Sequence, residues 1–481
     1  MSFASVSFLL FFLVVLLLLL LVQRVLPFAE IKRRIICQGI LLIASYVFYG
    51  WWNMRLCLLL MGITWISFFT AVKKDEKHLW QSRISLLIGV GTPLTVLGIF
   101  KYYDFFVTSF CDVFHLTPGV LNLILPVGIS FYTFQALSYT IDVYTGKIEK
   151  EKSFLQLYLS FFPQLVAGPI VKASEFLPQL KENRKVTLAG LESGIQIFVF
   201  GMFKKVVLAD NISVFVDEVY RSPQIFGSGT VALAVAAYAI QIYMDFSGYS
   251  DMAIGCAKCM GYELPVNFNL PYISHNVSEF WKRWHISLSS WLMQYLYIPL
   301  GGNRKGRIRT YVNLMITMLL GGLWHGAEWS FVLWGGLHGL ALCIHKGFRK
   351  LAGYQKGQER KKNVLVDTLS ILGTDIFVCI CWIFFRAENV PKAWLVLKQL
   401  FGFRAGITHP YSFAIAAIII LCIATVAAYL RAAKKKEKTV NGFYPIMDLN
   451  HFWSLVIFFV EIGLILGLAY VKGSPFIYFQ F

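Results

Sequence analysis

No charged residue occurs between Met1 and Gln23, and residues 3–22 alone supply the ~20 apolar positions that carry a helix across a bilayer. Comparable runs recur at 56–72, 84–100, 120–143, 188–208, 231–254, 365–385, 413–430 and 452–471. Backbone N–H and C=O groups cannot stay unpaired in hydrocarbon, so runs of this length imply helices. The overall balance agrees, with 57% hydrophobic and 15% charged residues. The expectation is an all-α polytopic membrane protein with about eleven membrane-embedded helices, re-entrant and interfacial ones included. Residues 1–481 are expected to form a single integral membrane domain, with a core at 120–346 and flanking helices at 1–119 and 347–481.

The net charge is +18, from 44 Lys and Arg against 26 Asp and Glu. In a soluble chain that surplus would suggest nucleic acid. Here the basic residues sit in short loops between apolar runs, as the positive-inside rule requires of cytoplasmic loops, so no nucleic-acid partner is expected and the bilayer is. Arg24 with Lys32, Arg33 and Arg34 forms one such patch, and Lys73, Lys74, Lys77 and Arg83 another. This places both termini outside a bacterial cytoplasmic membrane. The first run has no basic residues before it and no small-residue cleavage site after it, so it is expected to stay as a spanning helix. Residues 101–118 carry little net charge and are expected to form an outside loop. Residues 154–171 have basic residues at both ends and are expected to be re-entrant or interfacial.

Two stretches carry chemistry. In 278–300, Trp281, Trp284, His285, Leu288, Trp291, Leu292 and Tyr295 fall on one helical face, with Ser278 a candidate N-cap. An aromatic face opposite Lys282 and Arg283 suits a helix at the interface or inside a bundle. In 321–329, GGLWHGAEW, His325 lies beside Trp324 in an apolar passage where a titratable ring is expensive and marks a functional site. The glycines give backbone freedom, or serve close helix packing. Residues 310–345 are long enough for two passes, with the glycine-rich middle as the reversal. Cys256 and Cys259 lack the second pair of a zinc site, and the His338–His345 pair lacks a carboxylate on its face, so no metal is expected.

WKRWHISLSSWLMQYLYIPLGGNRKG followed by TMLLGGLWHGAEWSFVLWGGLHG resembles the membrane-bound O-acyltransferases, in particular the bacterial branch that holds alginate O-acetyltransferase and the teichoic-acid D-alanyl transferase. LPVGISFYTFQALSYTIDVY, FFPQLVAGPIV, QIYMDFSGYSDMAIG and the terminal PFIYFQF match that branch in the same order. The resemblance implies acyl transfer, with His325 as the catalytic histidine and His285 as a second catalytic position. It implies no tightly bound cofactor, a donor thioester (acetyl-CoA or an acyl carrier) and a polysaccharide acceptor. It also implies an outer-face partner of the SGNH-hydrolase type. A neutral imidazole can take a proton from a hydroxyl that attacks a thioester carbon.

Further candidates for substrate contact or a tunnel are Trp281, Trp284, Trp324, Asp245, Asp251, Arg304 and Lys305. The two aspartates suit helix anchoring as well as a polar path. Arg304, Lys305 and Arg307 offer charge for a donor phosphate, or are an ordinary positive-inside loop. Tyr478 in the terminal PFIYFQF is a candidate acyl relay by resemblance to the tail of the small D-alanylation peptide, or an interfacial anchor. D-alanyl transfer to teichoic acid is the alternative activity. A transporter, or a structural subunit of an export machine, is the alternative of another class.

Overall fold

A computed structural model describes residues 1–151, 155–166, 168–351, 363–420, 423, 439–440, 444–445 and 447–469. Apart from a two-residue antiparallel pair, Thr439–Val440 with Tyr444–Pro445, and one isolated bridge, regular structure there is helical. The chain forms two compact units, Met1–Met202 with Tyr249–Pro265, and Phe203–Gly248 with Val266–Phe481. Four described helical stretches are long and apolar enough to cross a membrane: Val6–Val25, Leu79–Phe114, Ser228–Cys259 and Val364–Arg386. The expected all-helical, apolar architecture is present. The expected figure of eleven also counted short and re-entrant segments.

The first unit contains α1 (Val6–Leu20), α2 (Glu30–Gly50), α3 (Met54–Thr70), α4 (Leu79–Leu97), α5 (Tyr103–Phe114), α6 (Ile129–Tyr144), α7 (Ala173–Lys181) and α8 (Leu188–Met202). Its core is aromatic: Phe3 lies 4.7 Å from Phe8 and 4.8 Å from Tyr249, ring centre to ring centre, and Phe48 lies 5.6 Å from Phe162. Nearly every residue of α6 is buried, the pattern of a helix enclosed on all sides. The expected loop at 101–118 is a correction. Most of it is α5, which continues α4 through a wide turn at Gly98–Tyr102. Phe110 and Phe114 pack at 4.6 Å one turn apart, and Asp104 accepts hydrogen bonds from the Leu121 and Asn122 N–H groups. Low net charge had marked the stretch as a loop, whereas its aromatic spacing is helical. Within 154–171 two short helices, Leu155–Ser160 and Phe162–Leu165, are too short to span.

The second unit holds α9 (Asp210–Arg221), the first part of α10 (Ser228–Cys259), α11 (Val277–Arg283), α12 (Ile286–Leu292), α13 (Arg307–His325), α14 (Trp329–Leu351), α15 (Val364–Arg386), α16 (Val390–Phe401) and α17 (Phe452–Leu468). Helices α13 and α14 form a hairpin whose reversal falls just after His325, inside the glycine-rich stretch. Close packing needs those glycines. A Cβ on Gly322 would collide with the Phe331 carbonyl oxygen, and one on Gly335 with the Met318 carbonyl oxygen. The two backbones therefore touch, as small residues permit between membrane helices. His325 closes α13 and lies about 27 Å along its axis from Arg307, close to the thickness of a bilayer core.

Candidate active site

Residues 278–300 do not form the single helix that their spacing suggests. Helix α11 ends at Arg283, and α12 begins at Ile286. Between them His285 takes left-handed φ and ψ of 43° and 55°. The cause is the neighbouring non-helical segment Asn267–Asn269. Asn269 N–H donates to the Arg283 carbonyl at 2.9 Å, and Ile286 N–H donates to the Asn267 carbonyl at 2.9 Å. These bonds claim backbone groups that a continuous helix would use. The N-cap is Asn276, whose side chain accepts from Glu279 N–H, and not Ser278. A left-handed conformation at a non-glycine residue costs of order 1–3 kcal/mol and persists only where its surroundings enforce it. At His285 the break turns the ring inward, and the residue is fully buried.

Asn267 also sets the chemistry of that ring. Its Oδ1 accepts from Ser287 N–H at 3.3 Å and Ser287 Oγ–H at 2.9 Å, and faces His285 Nδ1 at 3.1 Å. A backbone N–H only donates, so the amide atom is oxygen and His285 Nδ1 carries a proton. The Nε2 of neutral His285 is then the basic nitrogen. Asn267→Ala removes the acceptor shared by these three donors. It is expected to lower kcat roughly 10²-fold through misplacement of the ring, with the donor KM nearly constant. Steady-state acyl-transfer kinetics check this, and an unchanged kcat would show that the bond only stabilises the fold.

His325 is the other half of the site and is also buried. Its ring centre lies 6.2 Å from that of His285, 5.0 Å from Trp324, 5.1 Å from Trp334 and 5.2 Å from Phe385. Phe246 stands edge-on to His285 at 4.6 Å. Two imidazoles thus share one aromatic chamber that excludes bulk water, where polar interactions with a reacting group are strong. A family model for the membrane-bound O-acyltransferases matches residues 152–379, which include both histidines and Asn267. A Pseudomonas putida protein named "Probable alginate O-acetylase AlgI" is 36% identical, over 92% of this chain and 94% of its own.

This chain belongs to the membrane-bound O-acyltransferase family.

Accordingly it is a membrane acyltransferase. It is also 39% identical to a "Peptidoglycan O-acetyltransferase" of Helicobacter pylori, over 75% of this chain and 73% of that one. A "Teichoic acid D-alanyltransferase" of Streptococcus thermophilus is 31% identical over 51% of this chain and 62% of its own.

The remaining candidate residues of the acyltransferase separate. Trp324 belongs to the chamber, at 5.9 Å from His285. Trp281 reaches Trp334 at 5.7 Å and His338 at 5.2 Å, so it joins the chamber indirectly. Trp284 packs on Trp382 at 4.9 Å and Phe268 at 5.0 Å. Asp245 is buried and committed to Lys205 at 2.6 Å. Asp251 is buried in the first unit. Arg304 and Lys305 are exposed. A polar cavity of about 480 Å³ lies elsewhere, lined by Asn269, Glu279, Lys282, Arg283 and Arg349 among others. There burial pushes the Glu279 carboxyl up, but hydrogen bonds from His275 and Arg283 outweigh it and hold the group below the usual carboxylate range. Tyr478 lies outside the described residues. Sequence reasoning missed Asn267, Trp334 and Phe385. Asn267 stands in a polar-apolar alternation, VNFNLP, with no motif of its own. Trp334 was visible as the residue four before His338 on one helical face.

Proposed function

We propose that this acyltransferase moves an acetyl group from a cytoplasmic thioester donor to hydroxyls of a secreted or cell-wall polysaccharide. The observation that carries the reading is the enclosed His285–His325 pair at 6.2 Å. Relatives named for acetylation of alginate and peptidoglycan support the acetyl group and the polysaccharide acceptor. D-alanyl transfer is the weaker reading, since the relatives named for it match over less of the chain.

In the proposed step the acceptor hydroxyl oxygen attacks the thioester carbonyl carbon while His325 takes the hydroxyl proton. The C–O bond forms and the C–S bond breaks. The thiolate leaves and recovers the proton from the His325 imidazolium, so the donor departs as a free thiol. His285 orients the donor or the base. The acceptor hydroxyl is that of Tyr478 if the acyl group is relayed through the chain's own tail. It then passes to an outer-face partner of the SGNH-hydrolase type, which completes the transfer to polysaccharide. The lipid bilayer separates donor from acceptor, and no tightly bound cofactor or metal takes part.

The test uses the full chain in vesicles with radiolabelled acetyl-CoA on the basic-loop side. Wild type and Tyr478→Phe are compared for covalent label and for acetylated acceptor. Label that maps to Tyr478 and disappears in Tyr478→Phe supports the relay. Acetylated acceptor formed equally by Tyr478→Phe overturns the relay and leaves direct transfer. Label delivered to neither protein nor acceptor, with the partner and a carrier-bound donor also supplied, overturns the acetyl-transfer reading.

A further inference from the structure

Acyl transfer places negative charge on the acyl carbonyl oxygen as its carbon becomes tetrahedral, and that oxygen needs hydrogen-bond donors set in place beforehand. The two imidazoles do not supply them. Neutral His285 has one N–H, and it faces Asn267 Oδ1 at 3.1 Å. The nitrogen of His325 that takes the hydroxyl proton is an acceptor at that moment. The donors must come from another wall of the chamber.

Helix α14 offers two. Ser330 and Trp334 stand four residues apart on one face, and neither is more than 1% exposed. Neither Ser330 Oγ nor Trp334 Nε1 meets a hydrogen-bond partner among the described residues. A serine on a helix commonly donates back to the carbonyl four residues earlier. For Ser330 that residue is Gly326, whose backbone is extended at φ −157° and ψ 151°, so no helical carbonyl stands there. Two buried donors left unpaired are costly in a folded protein and call for an explanation. A reacting group that develops negative charge supplies one.

The Trp334 ring is held where such a group reacts. Its centre lies 5.1 Å from that of His325, with the two planes at 89°. The indole nitrogen is on the ring perimeter, so it lies within the span of one acyl group from the imidazole. Trp382 stacks on the indole at 5.8 Å and Phe385 meets it at 5.2 Å. Gly335, next in the chain, is packed so tightly on the Met318 carbonyl that α14 has no slack against α13. A donor fixed in this way needs no reorganisation as charge develops, and its bond is strong where bulk water is excluded. An indole N–H only donates, so it never competes with His325 for the hydroxyl proton.

We propose that Trp334 Nε1–H and Ser330 Oγ–H form the oxyanion hole of the transfer. When the hydroxyl oxygen bonds to the carbonyl carbon, the carbonyl electron pair moves onto oxygen between these two donors, and His325 holds the hydroxyl proton. On collapse the C=O bond re-forms, the C–S bond breaks and the thiolate takes the proton. Trp334 and Ser330 keep their own protons throughout. The assignment rests on the hydroxyl attack proposed above, and it holds for an acetyl or a D-alanyl group alike.

The test places β-(3-benzothienyl)alanine at position 334, which keeps the fused ring and lacks the N–H, and separately makes Ser330→Ala, each in the full chain in nanodiscs. Each change is expected to lower kcat about 10²-fold, with donor KM and unfolding temperature close to wild type. Ser330→Thr, which keeps the hydroxyl, is expected to retain most of the rate. A near-normal kcat in both variants overturns the assignment, and so does a loss of rate that tracks a loss of thermal stability. Two ketone analogues of the donor separate ground-state binding from charge stabilisation. S-acetonyl-CoA stays trigonal, whereas the ketone of S-trifluoroacetonyl-CoA adds water or a hydroxyl and becomes tetrahedral. Both are also prepared on a carrier protein. Wild type is expected to prefer the tetrahedral analogue by at least about tenfold, as charge-assisted hydrogen bonds allow. The change at 334 should remove most of that preference while the trigonal analogue binds as before. The preference needs no turnover, so it supports the oxyanion hole even if wild type transfers no acetyl, a result that overturns only the proposed donor. A preference kept in full by both variants overturns the oxyanion hole itself.

Discussion

His325→Gln is expected to lower kcat for acyl transfer by about 10³-fold, within the range that a positioned general base contributes, while donor KM shifts by only a few fold. Glutamine approximates the volume and polarity of the imidazole, so the packing against Trp324, Trp334 and Phe385 is largely kept. What it lacks is a nitrogen able to hold a proton near neutral pH. The hydroxyl nucleophile is then left to attack unassisted, which is slow because an undissociated hydroxyl is weakly nucleophilic. A binding residue would give the opposite split, a raised KM with kcat retained. Label transfer in vesicles measures the rate, and thermal unfolding in detergent shows that the variant is folded. A kcat within tenfold of wild type would move the base to His285, whose Nε2 is held in the basic form by Asn267.

How far this site could be seen in advance depends on what each residue's signal is made of. Apolar length is a local property, and it located most of the long helices to within a few residues. His325 was conspicuous because a titratable ring in an apolar run is costly wherever the chain folds. The break at Trp284–His285 had no such signal. Residues 278–300 satisfy helical spacing throughout, and what interrupts them is hydrogen bonding from Asn267 and Asn269, a segment earlier in the chain. The same tertiary bonding hid the role of Asn267. Glycine spacing in 321–335 announced close packing but not its partner. Only the hairpin shows Gly322 against the Phe331 carbonyl and Gly335 against that of Met318. Arg304 and Lys305 stood out because they cluster in sequence. The grouping of Lys282, Arg283 and Arg349 around one cavity had no such signal, since they come from two helices far apart along the chain.

Lys205→Met is expected to destabilise the protein by about 3–5 kcal/mol, the usual consequence of removing one partner from a buried charge group. The Lys205 ammonium lies 2.8 Å from Asp210 and 2.6 Å from Asp245, and all three side chains are no more than 5% exposed. The wide helical turn at Phe203–Ala209 leads into α9, so Lys205 stands five residues before Asp210 while it also meets Asp245 on α10. Methionine fills much the same volume, so lost packing is a small part of the effect. The larger part is that two carboxylates lose their shared cation in a place where water does not replace it. Lys204 does not take over in this arrangement, because its ammonium is directed to Ser247 Oγ at 3.1 Å. The loss should therefore reverse when the carboxylates are neutralised too. Asp210→Asn and Asp245→Asn, added to Lys205→Met, are expected to recover most of the lost thermal stability, whereas either aspartate substitution alone in Lys205→Met recovers part of it. Thermal unfolding of the four variants in one detergent gives the comparison. Equal unfolding temperatures for wild type and Lys205→Met would mean that water reaches this cluster and that the three charges are solvated rather than buried.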